Sequence, residues 1–135
     1  NFNIITSKTF EIENIKFTPI PVFHGKTNTI FGYKFGQTAY ISDVSEIPES
    51  SKNYLYDLEL LIIDALRPKK THGTHFTLEQ AIEKIKYFRP KKALLTNATH
   101  DIHHSKVNKK LEKLSSINLD VSYAHDGLIE EVFID

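Results

Sequence analysis

Apolar and polar residues alternate with period two through the first third of the chain, which predicts half-buried strands. "FEIENIKFTPIPV" (residues 10–22) carries the pattern most clearly. Pro19 and Pro21 cannot donate to a ladder, so this strand is expected at a sheet edge or near its own end. "NTIFGYKFG" and "TAYISD" follow as two more strands, with Gly36-Gln37 as the turn between them. "IPESSKNYLYD" is a candidate short helix.

The rhythm then changes. "LELLIIDA" is a continuous, branched apolar run, as in a strand buried on both faces. In "TLEQAIEKIKYFRP" the positions Leu78, Ala81, Ile82, Ile85 and Phe88 make one helical stripe. Thr77 and Gln80 have capping-box spacing at its start, and Pro90 marks its end. "KKALLTN" reads as another buried strand. "SKVNKKLEKLSS" is an amphipathic helix through Val107, Leu111 and Leu114. "NLDVSYAHDGLIEEVFI" reads as a final pair of strands around Asp126-Gly127, a hairpin-type dipeptide. The order of elements predicts one α/β unit, a mixed sheet with helices in layers. Two or three helices cannot cover both faces of so apolar a sheet, so one face is expected to lack a partner within this chain.

Length and composition fit this picture. The chain has 135 residues, 40% of them hydrophobic and 25% charged, which suits one globular domain. Charges balance at 17 against 17, so nothing electrostatic favours nucleic acid or an anionic membrane. No apolar run approaches a membrane span and no signal peptide is visible, so a cytoplasmic location is expected. The absence of cysteine excludes disulfides, thiolate chemistry and a Cys-type structural zinc site. The chain contains no methionine and opens in strand-like sequence. Together these lead to the expectation that it is the C-terminal part of something longer.

Candidate chemistry gathers where ligands bind in such sheets, beyond the carboxyl ends of the strands. "TPIPVF" is followed by His24-Gly25, "TAYIS" by Asp43, and "LELLI" by Asp64 and then "RPKKTHGTH" with His75. "KKALLT" is followed by Asn97, His100, Asp101, His103 and His104, and "LDVSYA" by His125 and Asp126. Each has a plainer reading. His72, His103 and His104 suit solvated loops; Asp126 with Gly127 is turn chemistry; Asp101 can cap a helix; Asp64 can be a structural acceptor. The shared address is what lifts His24, Asp43 and His75 above these. Imidazole and carboxylate together suit zinc, manganese or iron, and an open site of that kind hydrolyses by metal-activated water. No glycine-rich phosphate loop follows any strand, which disfavours a plain nucleotide-binding domain.

Four blocks, "PVFHGKTNTIFGYKFGQTAYISDVSEIP", "LLIIDALRPKKTHGTHFTLEQAIEKI", "PKKALLTNATHDIHH" and "YAHDGLIEEV", resemble the metallo-β-lactamase fold family. More narrowly, they resemble its branch containing the phosphodiesterase of bacterial phosphonate degradation, which acts on ribosyl cyclic phosphates. The resemblance implies the C-terminal portion of an αββα sandwich and, in the family, two divalent metals, zinc or manganese. It implies that His24 is a metal ligand, that Asp43 bridges both metals, and that His75 assists catalysis near the substrate phosphate. It also implies a phosphodiester small molecule or nucleotide-like compound as substrate.

Two departures qualify this. The family's His-x-His-x-Asp-His motif, carried by the N-terminal half of the domain, is absent. Where the family reads Thr-His-x-x-His, this chain reads Thr96-Asn97-Ala98-Thr99-His100, so Asn97 stands at a metal-ligand position. An amide binds zinc or manganese far more weakly than imidazole does. His100 and His125 are secondary candidates. The expectation is a degenerate site with weak or absent metal and little activity in the chain alone. A homo-oligomer is expected to cover the uncovered sheet face. The rival expectation is a non-catalytic remnant that serves as an oligomeric or partner-binding module.

Overall fold

The computed structural model describes residues 2–70 and 72–134. Its seven strands are β1 (Phe10–Ile12), β2 (Ile15–Phe23), β3 (Thr29–Phe35), β4 (Thr38–Ile41), β5 (Leu60–Asp64), β6 (Lys92–Thr96) and β7 (Asp120–Tyr123). They form one sheet in strict sequence order. The first four pair antiparallel and β4 to β7 run parallel. A 3-10 helix (Glu49–Leu55), α1 (Leu78–Phe88) and α2 (His104–Leu111) make the three crossovers between the parallel strands. Crossovers of constant hand that step in one direction stack on one side of a sheet.

Register identifies that side. Ile20, Ala39, Leu61, Ala93 and Val121, with their neighbours two residues on, share one pleat face. All five are buried in a single core with Leu55, Ala81, Ile85, Phe88 and Leu111 from the helical layer. The opposite face carries Phe17, Tyr33, Phe35 and Tyr40, which with Ile5, Phe10 and Ile12 line an apolar groove. Tyr40 is 40% exposed and Ile12 is 55% exposed, so this face is uncovered by the described residues. Mixed sheet, layered helices and one bare apolar face are therefore all present.

The local signals hold at α1. Thr77 accepts from the Gln80 amide and Gln80 reaches back to the Thr77 amide, completing the capping box. Arg89 ends the helix in the left-handed conformation, immediately before Pro90. The prolines of β2 lie where the strand has β3 on one side only, because β1 pairs no further than Phe17. Tyr123 ties β7 to the loop after β5 by donating its hydroxyl to the Ala65 carbonyl at 2.7 Å. Burial, and then the charge of Asp64, pushes that phenol's pKa upward, so it stays a donor.

Three readings of the pattern need correction. Residues 10–22 are a hairpin, not one strand, because Glu13 and Asn14 both take positive φ. Two such residues make the primed turn that matches strand twist. The helix after β6 ends at Leu111 and continues as a 3-10 segment over Glu112–Ile117. The final pair of strands is a single strand: residues 128–134 form no strand and join no ladder. Their alternation is real, but β7 is not their partner. Glu130 instead pairs with Lys92, and the Phe133 carbonyl lies 2.6 Å from where a Cβ on Gly36 would sit.

Candidate metal centre

β2 runs parallel in space to β4, since both are antiparallel to β3. The carboxyl ends of β2, β4, β5, β6 and β7 thus lie on one edge, and four side chains converge there. His24 follows β2, Asp43 follows β4, His75 lies on the β5–α1 loop, and Asn97 follows β6. Ligand atoms of His24, Asp43 and His75 all lie within 4.8 Å of one another. Among the described residues this is the only group of three or more potential metal-ligating side chains drawn from His, Cys, Asp and Glu.

Each member is placed by local chemistry. Gly25 has φ of 85° and donates its amide to the Ser45 hydroxyl at 2.9 Å. A Cβ on Gly25 would stand 3.2 Å from Thr74 Cγ2, so glycine lets the loop after β2 close on the loop that carries His75. Ser42 donates to Asp43 Oδ2 at 2.8 Å, which fixes the carboxylate and leaves Oδ1 toward the centre. His24 and His75 pack edge to face with ring centroids 4.7 Å apart.

Asp64 is the hidden organiser. It is fully buried at the end of β5. Its Oδ2 accepts from the Val44 amide at 3.1 Å and lies 2.9 Å from His75 Nδ1. Its Oδ1 accepts from the Asn97 amide nitrogen at 3.2 Å. Burial raises its pKa, opposed first by the Val44 N–H, then by His75 and Asn97. Three donors around one carboxylate favour its ionised form and place the His75 proton on Nδ1. His75 Nε2 is thereby left with a free lone pair. Sequence reasoning placed Asp64 among the strand-end candidates and weighed it equally as a structural acceptor. The available signal was a carboxylate ending an otherwise apolar strand, since such an acid needs buried donors.

Asn97 takes φ of 64°, a left-handed conformation that asparagine and histidine both tolerate. Its Nδ2 lies 3.4 Å from Asp43 Oδ1, 3.4 Å from the Ser42 carbonyl and 3.2 Å from Asp64 Oδ1. His75 Nδ1 is a fourth neighbour at 3.3 Å, and the three oxygens are what turn the NH2 side of the amide inward. The other candidates engage elsewhere. His100 is almost fully exposed and pairs with Asp101 at 3.2 Å. Asp101 does not cap α2, whose first turn follows His103 without a side-chain cap. His125 sets Nδ1 3.1 Å from the Asp126 carbonyl and stacks on His104 at 5.6 Å.

The donor set fits one divalent ion. Two imidazoles and a carboxylate are within mutual reach, and His24 Nδ1 is buried with no hydrogen-bond partner, as a nitrogen awaiting a ligand would be. The set does not fit two ions. No further ligating group joins it among the described residues, and a hydrogen-bond donor points in from Asn97.

Comparison with known proteins agrees with this architecture. The family described as the beta-lactamase superfamily domain matches residues 2–97. A crystal structure described as a new diphosphatase from the PhnP family superposes with a TM-score of 0.86 at 34% identity, over 96% of this chain and 48% of that one. The metallo-beta-lactamase fold protein YhfI from Bacillus subtilis superposes with a TM-score of 0.74 at 18% identity, over 94% of this chain and 54% of that one. An octanoyltransferase of Porphyromonas gingivalis is 31% identical over 126 residues, 93% of this chain and 24% of that protein. The chain thus spans about half the length of the two solved structures and a quarter of the curated relative.

Proposed function

Because this chain belongs to the beta-lactamase superfamily and has the metallo-β-lactamase fold, we propose that it supplies the C-terminal half of a metal-dependent hydrolase site of phosphodiesterase type. The observation that carries this reading is the convergence of His24, Asp43 and His75 within 4.8 Å at the strand ends. A zinc or manganese ion held there would supply Lewis acidity toward a phosphoryl oxygen. His24 and Asp43 would be its ligands, with Asp43 oriented by the Ser42 hydroxyl. His75, with Nδ1 held by Asp64 and a lone pair at Nε2, takes a proton from water as its oxygen bonds to phosphorus, and returns that proton from Nε2 to the leaving oxygen as the old P–O bond breaks. The substrate is a small phosphodiester or nucleotide-like molecule. The residues lie on the half of the domain without the His-x-His-x-Asp-His motif, and Asn97 weakens the site further.

The test is hydrolysis of an aryl phosphodiester by a longer chain that includes the missing half of the domain, with and without Asn97→His. The histidine variant is expected to be the more active. Equal activity would mean that the Asn97 loop is no part of a metal site.

Asn97 also favours a second reading, a non-catalytic module whose amide stands in for the lost ligand by donating to Asp43 and Asp64. Under either reading a second copy covers the bare face that carries Phe17, Phe35 and Tyr40 in the isolated chain, because exposed apolar surface of this kind drives association. The chain would work in the cytoplasm. No helix among the described residues is long and apolar enough to cross a membrane.

A further inference from the structure

Two neighbouring imidazoles on the β5–α1 loop have their Nδ1 atoms in opposite surroundings, a carboxylate beside His75 and an N–H and hydroxyl beside His72. His75 has Nδ1 2.9 Å from the Asp64 carboxylate and 3.3 Å from the Asn97 amide nitrogen; the shorter contact, to an acceptor, places the proton on Nδ1. His72 lies beside it, with ring centroids 5.2 Å apart, and continues a row that begins at His24. His72 Nδ1 is 2.9 Å from the Thr74 hydroxyl and 3.4 Å from the Thr74 backbone nitrogen. A backbone N–H can only donate. Nδ1 of His72 is therefore an acceptor, and its proton sits on Nε2.

The difference matters for what each ring can meet. His75 has Nδ1 held by Asp64 and a lone pair at Nε2. His72 has its Nδ1 lone pair engaged by Thr74 and offers an N–H at Nε2, so it suits an anion and not a metal. The segment from Arg67 to Phe76 holds Arg67, Lys69, Lys70 and His72 and not one carboxylate. Thr74 itself is anchored, since its Cγ2 packs against Gly25 at the turn that presents His24.

We propose that His72 binds the substrate's anionic phosphoryl group, donating from Nε2 to a non-bridging oxygen while the phosphorus faces His24, Asp43 and His75. This rests on the phosphodiesterase reading above and adds a residue to it. His72 is exposed, so substitutions there leave folding unaffected.

The test is a long-range proton–nitrogen correlation spectrum of the 15N-labelled chain, recorded during titration with inorganic phosphate. His72 is expected to show a protonated Nε2 and a bare Nδ1, with His75 showing the reverse. Phosphate should shift His72 Nε2 saturably. His72→Phe should weaken phosphate binding by about tenfold, as loss of a charge-assisted hydrogen bond does, while His72→Gln, which keeps an N–H donor, retains most of it. Thr74→Val removes the hydroxyl and keeps the backbone N–H, so His72 should keep its proton on Nε2. If phosphate moves His75 and leaves His72 unmoved, or binds His72→Phe as tightly as the parent, the His72 assignment is overturned and the phosphodiesterase reading stands. If no imidazole responds, that reading falls together with the assignment.

Discussion

Asp64 and Asn97 decide what this edge of the sheet is. A fully buried carboxylate is tolerated only where donors surround it, and Asp64 has the Val44 amide, His75 and Asn97. Asp64→Ala would strand those donors, although it also removes a charge that burial disfavours. The net expectation is a loss of about 1–2 kcal/mol in urea denaturation, with His75 no longer held in one ring state. Unchanged stability would show that the donors find other partners. The ligand candidates were legible because histidines and carboxylates followed one strand after another. Asp64 was not singled out, since a polar residue at a strand end gives no sign of whether it turns inward. His72 was read only as a solvated loop residue, because a tautomer depends on distances that sequence does not carry.

At the scale of elements, α1 is the best-specified piece. Its apolar stripe, capping box and left-handed Arg89 agree with one another, and all but the last were visible in the sequence. Thr77→Ala should cost about 1 kcal/mol, read as a lower urea midpoint with unchanged slope. A full-strength midpoint would mean that tertiary packing alone sets the start of the helix. β7 depends on a longer reach. Tyr123→Phe leaves the Ala65 carbonyl without its donor and should cost about 1 kcal/mol by the same measurement. Two elements escaped the pattern for a shared reason. Period two reports that side chains alternate, not which neighbour a strand pairs with. The Glu13-Asn14 hairpin was read as one strand, and residues 128–134 were given a ladder they do not form.

For the molecule as a whole, the sheet has a helical layer on one face and aromatic side chains at the surface of the other. The unequal cover was foreseeable by counting helices against apolar strands. The alternation alone could not assign each strand to a face, which took the register. Tyr40→Lys places a charge in the bare groove and should shift the isolated chain toward monomer in sedimentation velocity, with its circular dichroism unchanged. A parent that sediments as a monomer at tens of micromolar would contradict the oligomer.

The central claim is that His24 and Asp43 hold one divalent metal ion beside His75, at a site weakened by Asn97. Calorimetric titration of zinc into the chain and into Asn97→His tests it most directly. The account predicts one weak site in the parent. In the variant it predicts one site tightened by more than the roughly tenfold that even an outer partner of a metal ligand contributes. Equal affinity in both chains, or no binding in either, would contradict it.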